Sequence, residues 1–164
     1  MLSVIDLSDA KSASDYEAAQ KLFVEYAAWL GVDLGFQDFA HELEHLSQMY
    51  GPPGGCLILG RDAGSAIACV GVRRVSAETC EMKRLFLKES ARGRGVGRLL
   101  ALEAVRAGRR LGYARMVLDT LDGMVAARKI YASLGFKETE AYYRNPLPGV
   151  HFMALDLNLV ENAS

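Results

Sequence analysis

Arg92-Gly93-Arg94-Gly95-Val96-Gly97 stands between the apolar run Leu85-Phe86-Leu87 and an apolar-periodic stretch that begins near Arg98. The order reads as a strand, a glycine turn and the start of a helix. Glycines at alternate positions let the backbone turn sharply and come close to a ligand, while the first N–H groups of a helix point outward with partial positive charge. Such a turn suits a phosphate or pyrophosphate. The forked guanidinium groups of Arg92, Arg94 and Arg98 add full charges that match phosphate oxygens. Two better-known phosphate loops do not fit. The P-loop ends in Gly-Lys-Ser/Thr, whereas Gly97 is followed by Arg98 and Leu99; the dinucleotide fingerprint needs Gly-x-Gly-x-x-Gly, and this stretch is Gly-x-Gly-x-Gly. On the six residues alone, a helix-capping loop with clustered arginines is the competing reading.

The whole chain narrows the ligand. Its 164 residues are long enough for one domain, spanning 1–164, with a substantial core. Apolar residues make up 51% and charged residues 24%, which indicates neither a disordered nor a fibrous class. A net charge of −1 argues against a general nucleic-acid binder. Between residues 83 and 115, however, Lys83, Arg84, Lys88, Arg92, Arg94, Arg98, Arg106, Arg109, Arg110 and Arg115 face only Glu89 and Glu103. A local positive field in a near-neutral protein suits a small anion better than a long polyanion; Arg106, Arg109 and Arg110 read as a solvated helix face. Cys56, Cys69 and Cys80 have no metal-knuckle spacing and read as small buried residues of a reducing compartment. With no leader-like or membrane-length apolar run, the expectation is a soluble cytoplasmic protein with no membrane partner.

Residues 2–7 read as a first strand. Ser14-Asp15-Tyr16-Glu17 has capping-box spacing, and Tyr16, Ala19, Phe23, Ala27 and Leu30 form one helical stripe that stops at Gly31. Phe39, Leu43, Leu46 and Tyr50 predict a second helix, stopped by Gly51-Pro52-Pro53-Gly54-Gly55. Short β runs follow at Cys56 to Gly60, Ala66 to Arg74 and Cys80 to Leu87, separated by turn residues, as for consecutive antiparallel strands. The glycine turn then feeds a helix from Val96 to Leu111. Ala114 to Leu118 is expected as a strand, Met124 to Leu134 as a helix, Phe136 to Tyr142 as a strand and Val150 to Leu157 as the last strand. Two β-α-β units in the second half predict parallel strand neighbours, hence an α/β fold with one mixed sheet flanked by helices.

Three stretches together resemble the GNAT superfamily of N-acetyltransferases: the strand Cys80 to Leu87, the turn Arg92 to Gly97, and Ala127-x-x-x-Tyr131-x-x-x-Gly135-Phe136. The family's acetyl-CoA turn has the form Gln/Arg-x-x-Gly-x-Gly/Ala, and Arg92, Gly95 and Gly97 occupy its fixed positions. The resemblance implies a mixed sheet of about six to seven strands with about four helices, its strands splayed at the CoA site. Backbone groups of Leu85, Phe86 and Leu87 would then meet the pantetheine arm, those of Arg92, Gly93, Arg94, Gly95, Val96, Gly97 and Arg98 would cradle the pyrophosphate, and Ala127 and Tyr131 would line the same site. N–H groups around Leu87 would polarise the thioester carbonyl. Tyr131 corresponds to the tyrosine that many relatives place at the thioester sulfur, where a phenol hydroxyl can hydrogen-bond to the leaving thiolate or return a proton. With pKa values of about 10 for a phenol and about 8.5 for a thiol, hydrogen-bond stabilisation is the larger effect. Many relatives carry an asparagine after the strand before this helix; here Asp119-Thr120 stands instead, and either side chain is a candidate replacement contact.

An aliphatic ammonium must lose a proton before it attacks. Glu81 is the first candidate base, because alternation along the strand with Lys83, Leu85 and Leu87 points it to the acyl site; an ion pair with a neighbouring cation is its alternative role. For acceptor binding the candidates are Glu81, Tyr142 and Arg144, the last by a forked pair with a carboxylate. Trp29, with Asp33 and Phe36, is a candidate for the opposite wall of the acceptor pocket. The expected activity is transfer of acetyl from acetyl-CoA to a primary amine of a small or amino-acid-like acceptor, directly in a ternary complex and without metal. Dimers are common among relatives, so a homodimer is compatible. Two other classes compete: a non-catalytic acyl-CoA sensor, and a zinc hydrolase built on His41-Glu42-x-x-His45, which lacks an obvious third ligand because His151 lies in a distant predicted strand.

Overall fold

Alternating apolar runs assemble into a seven-stranded mixed sheet in the computed structural model, which describes residues 4–158. The strands are β1 (Ile5–Asp9), β2 (Cys56–Asp62), β3 (Ser65–Arg74), β4 (Thr79–Leu87), β5 (Arg115–Leu121), β6 (Lys137–Glu138) and β7 (Val150–Asp156). Their spatial order is β1-β2-β3-β4-β5-β7-β6. β1 to β4 form antiparallel neighbours; β4 and β5 are parallel, connected through helix α4 (Val96–Arg110). Alternation sends Leu57 and Leu59 to the face covered by α1 (Ala13–Leu30), and Cys56 and Ile58 to the face covered by α4. Among the described residues, no helix is long and apolar enough to cross a membrane.

Several expectations shift. Residues 2 and 3 of the first predicted strand lie outside the described residues, and β1 begins at Ile5. The capping box sits two residues earlier than the Ser14–Glu17 spacing suggested: Ser12 Oγ accepts from Asp15 N–H (3.1 Å) while the Asp15 carboxylate accepts from Ser12 and Lys11 N–H groups. Those two backbone bonds, with Arg61, hold the Asp15 carboxyl down at about 2. Arg109 is drawn inward to the Leu157 carbonyl at 3.0 Å instead of lying on a solvated face. The expected strand from Phe136 to Tyr142 shrinks to β6, because Tyr142 and Tyr143 leave the sheet to donate to the carboxylates of Glu81 and Asp119. Of the two predicted parallel neighbours only β4–β5 forms. β7 inserts between β5 and β6, antiparallel to both.

The second predicted helix is broken into α2 (Phe39–Glu44) and α3 (Leu46–Met49) at His45. The break turns Glu42 inward, where it is 1% exposed and receives Arg84 Nε and Nη2, both at 2.8 Å, and the Tyr50 hydroxyl at 3.1 Å. Burial would raise the Glu42 carboxyl, but the Arg84 bonds outweigh it and hold it below its ordinary value. Phe39 and Tyr26 lie against the guanidinium at 5.1 and 5.9 Å. The glutamate of the His-Glu-x-x-His pattern is therefore a buried anchor for Arg84, and its two histidines stack on each other with ring centroids 4.0 Å apart. The zinc-hydrolase reading loses its base.

Arg84 itself has φ +59 and marks a bulge in β4, where the register with β3 shifts between Cys69↔Phe86 and Gly71↔Lys83. The extra residue reverses the alternation. Glu81 and Lys83 face the α1 side, whereas Leu85 and Leu87 pack towards the α4 core. Gly71 is required opposite, since a Cβ there would lie 2.6 Å from the Tyr50 ring. Glu42→Leu leaves Arg84 charged, buried and unpaired, so urea unfolding is expected to show a loss of about 3–5 kcal/mol; a loss under about 1 kcal/mol, the worth of an exposed pair, would contradict a buried role.

Candidate active site

Beyond the bulge the sheet opens. β4 and β5 pair only at Thr79↔Arg115, Cys80↔Met116 and Glu81↔Val117, so 82–87 has no β5 partner. The resulting cleft has Leu85, Phe86 and Leu87 on one wall and Val125, Ala127 and Ile130, from helix α5 (Val125–Ser133) on the other. The glycine turn closes one end. Gly93 and Gly95 have φ +74 and +77, conformations that side chains rarely adopt. Helix α4 starts from Gly95 with no side-chain cap, which leaves its first N–H groups available to an anion.

The predicted cofactor residues differ in where their side chains lie. Arg92, Gly93, Gly95, Val96, Gly97 and Arg98 line the cleft. Arg92 also donates to the Leu87 carbonyl at 3.1 Å and lies 5.2 Å from the Trp29 ring. The Arg94 side chain turns instead to Asp62 (3.2 Å) and the Ser90 carbonyl, so it braces the turn from β2. Trp29 lines this cleft, packed on Phe86, and also a neighbouring pocket with Leu121 and Pro148.

Leu85 and Met124 line both this cleft and an inner cavity that also contains Lys83, Asp119, Thr120 and Tyr131. Tyr131 is 6% exposed; burial, then Tyr26 and Asp119, push its phenol well above the ordinary value, so it stays protonated. Thr120 Oγ1 is buried without a partner among the described residues, an unmet hydrogen-bonding group beside the cavity. Asp119 accepts from Tyr143 and from Asn145 Nδ2 at 2.8 Å.

Glu81 is not so placed. It is fully buried, away from the cavity lining, and its carboxylate receives Arg73 Nε at 2.7 Å and the Tyr142 hydroxyl, with Lys83 Nζ at 3.9 Å. The bulge explains the miss, because alternation counted through Arg84 gives the wrong face. Tyr142 is accordingly tied to Glu81, and burial and that carboxylate push its phenol far up. Arg144 is exposed and belongs to neither the cleft nor the inner cavity. Sequence reasoning gave Asp119 only a contact role; its facing tyrosine and asparagine, Tyr143 and Asn145, were the usable signal.

The sequence matches the acetyltransferase (GNAT) family over residues 16–136. It is 41% identical over 158 residues to an uncharacterised N-acetyltransferase of Schizosaccharomyces pombe, covering 95% of this chain and 97% of that one. An N-acetylaspartate synthetase of Rattus norvegicus is 31% identical over 100 residues, 60% of this chain and 33% of that protein. By structure the chain resembles a GNAT-family acetyltransferase of Staphylococcus aureus, with TM-score 0.76 at 18% identity over 94% of this chain and 99% of that one. A Salmonella typhimurium protein described as an acetyltransferase, solved with its cofactor acetyl-CoA, superposes with TM-score 0.67 at 19% identity over 94% and 95% of the two chains. At such identities the likeness is one of fold.

Asp tolerates left-handed backbone better than most residues, so Gly95→Asp tests charge more than shape. Calorimetry is expected to show CoA affinity falling about 100-fold, with Gly95→Asn losing far less. Equal affinity for both variants and wild type would contradict an anion cradle at this turn.

Proposed function

The chain belongs to the GNAT family of acetyltransferases, and we propose that it transfers acetyl from acetyl-CoA directly to the primary amine of a small, amino-acid-like acceptor in a ternary complex. The observation that carries this reading is the continuous path from the uncapped helix start, along the unpaired edge of β4, to a cavity holding Tyr131 and Asp119. Its chemistry follows the shape of the donor. The pyrophosphate lies on N–H groups at the start of α4, and the amide-bearing pantetheine arm runs beside 82–87 as an additional strand would. The buried Thr120 hydroxyl supplies a polar contact where many relatives use asparagine.

In the cavity the deprotonated amine attacks the acetyl carbonyl, the carbon–sulfur bond breaks, and the nitrogen loses its second proton to the departing CoA thiolate, directly or through water, so that CoA leaves as the thiol. Asp119 is the carboxylate that faces this space, and it takes the ammonium proton, directly or through water. Backbone N–H groups on the unpaired edge of β4 polarise the carbonyl oxygen. Tyr131, held protonated by burial, donates a hydrogen bond to the departing thiolate; its raised pKa makes full proton transfer still less favourable, so stabilisation is its role. Similarity to enzymes named for making N-acetylaspartate supports an amino-acid-like acceptor. A binding module that never turned over would have no use for a phenol and a carboxylate in the cavity.

In a CoA-release assay Tyr131→Phe is expected to lower kcat about 10- to 100-fold, one charge-assisted hydrogen bond, with the KM for acetyl-CoA little changed. Unchanged kcat would remove the tyrosine from the reaction. Asp119→Asn should depress kcat/KM at neutral pH and regain rate as pH rises towards the acceptor's own pKa; a variant whose pH profile parallels wild type would rule out proton removal by this carboxylate.

A further inference from the structure

Asp119 is held by one of its two oxygens. Oδ2 receives the Tyr143 hydroxyl and, at 2.8 Å, Asn145 Nδ2, both from the segment before β7. Oδ1 makes no hydrogen bond with a described residue, and Asp119 lines the inner cavity. The Tyr143 hydroxyl is itself constrained, because it accepts from Gln37 Nε2 and from Asn145 Nδ2, each at 2.9 Å. Neither amide can turn its oxygen to the hydroxyl without losing a partner. Gln37 Oε1 accepts from Lys83 Nζ at 3.0 Å, and Asn145 Oδ1 accepts from the Leu147 N–H at 3.0 Å. An ammonium and a backbone N–H only donate, so each fixes which end of its amide is oxygen. With two donors arriving on its oxygen, the hydroxyl has one proton to give, and Asp119 Oδ2 is the acceptor in reach.

We propose that Tyr143 is a positioning residue for the transfer: Lys83, Gln37 and Asn145 fix its hydroxyl as a donor to Asp119 Oδ2, and Oδ1 is left as the atom that takes the acceptor's proton. The proposal rests on the reading of Asp119 as the base and adds which oxygen acts and what holds it. In that step an N–H bond of the ammonium breaks and the nitrogen keeps the electron pair for its attack. The proton binds Oδ1, and the neutral carboxyl later releases it to water. Burial, then Asp119 and its hydrogen bond, hold the Tyr143 phenol above its ordinary value, so it remains a donor. The other titratable groups around Asp119 are Lys83 and Glu81 from β4, Tyr26 from α1, Tyr131 from α5 and Tyr142 beside Tyr143. None of them hydrogen-bonds its carboxylate, and Arg84, also in the cavity lining, is committed to Glu42. Orientation of the base therefore depends on one hydroxyl and the two amides that aim it.

The test compares the full wild-type chain with Tyr143→Phe, which keeps the ring packed on Tyr142 and Phe152 and deletes the donor alone. A donor to the charged form favours the carboxylate, so its loss lets the carboxyl hold a proton at higher pH. With acetyl-CoA and L-aspartate as substrates, the acid limb of the kcat/KM profile is expected to move up by about one pH unit, the acetyl-CoA KM staying unchanged. A second measurement needs no turnover. NMR titration of carbon-13-labelled aspartate carboxyls, with the Asp119 signal identified by its loss in Asp119→Asn, should show the same upward shift in Tyr143→Phe. An unmoved carboxyl midpoint would overturn the proposal, whatever the rate does. A shifted midpoint with kcat/KM lowered equally at every pH would sustain the hydrogen-bond chain and count against Asp119 as the base.

Discussion

A charged pair sealed between a broken helix and a bulged strand governs the rest of this structure. Glu42 and Arg84 meet through two bonds of 2.8 Å with almost no solvent contact, and the residue so anchored is the one whose backbone is left-handed in the middle of β4. Removing two charges from water is costly, and a bidentate geometry with a third bond from Tyr50 is what offsets that cost here. The same anchor determines the direction of β4. With Arg84 pinned towards α2, the strand beyond it reverses its alternation and its pairing with β5 ends at Glu81.

The opening that results places one chemistry at each end of a single slot. At the wide end, an uncapped helix start and left-handed glycines leave backbone donors exposed to an anion. At the narrow end, the dielectric falls and the side chains change character: Tyr131 becomes a phenol that cannot readily ionise, and Asp119 keeps its two donors on the side of Tyr143 and Asn145. Glu81, the other carboxylate of the region, serves a different purpose by tying Tyr142 and Arg73 to β4. Two carboxylates on one face of neighbouring strands thus differ in surroundings: Asp119 lines the inner cavity, and Glu81 is sealed behind its partners.

That division marks the limit of sequence reading. The glycine turn, α4, α5 and the antiparallel β2–β4 run were legible because each depends on residues within a turn or two of one another. So was the list of cleft residues around Leu85 to Leu87 and Arg92 to Arg98, apart from the side chain of Arg94. Three features were not. Glu42 finds its partner 42 residues away, so its place in a metal-like pattern was misleading. The insertion of β7 between β5 and β6 is a choice among strand neighbours that local pattern does not encode. The face of Glu81 depended on one extra residue at Arg84, and a bulge at a bulky residue has no local signature comparable to glycine.

The central claim is that CoA lies in the gap between β4 and β5, with one end on the glycine turn and the other along the unpaired strand edge. Residue-resolved amide hydrogen exchange with and without CoA tests it most directly. Exchange should slow together at 93–98 and at backbone N–H groups within 82–87, because one ligand spans both. Protection confined to the turn, or absent from both stretches at saturating CoA, would contradict the account.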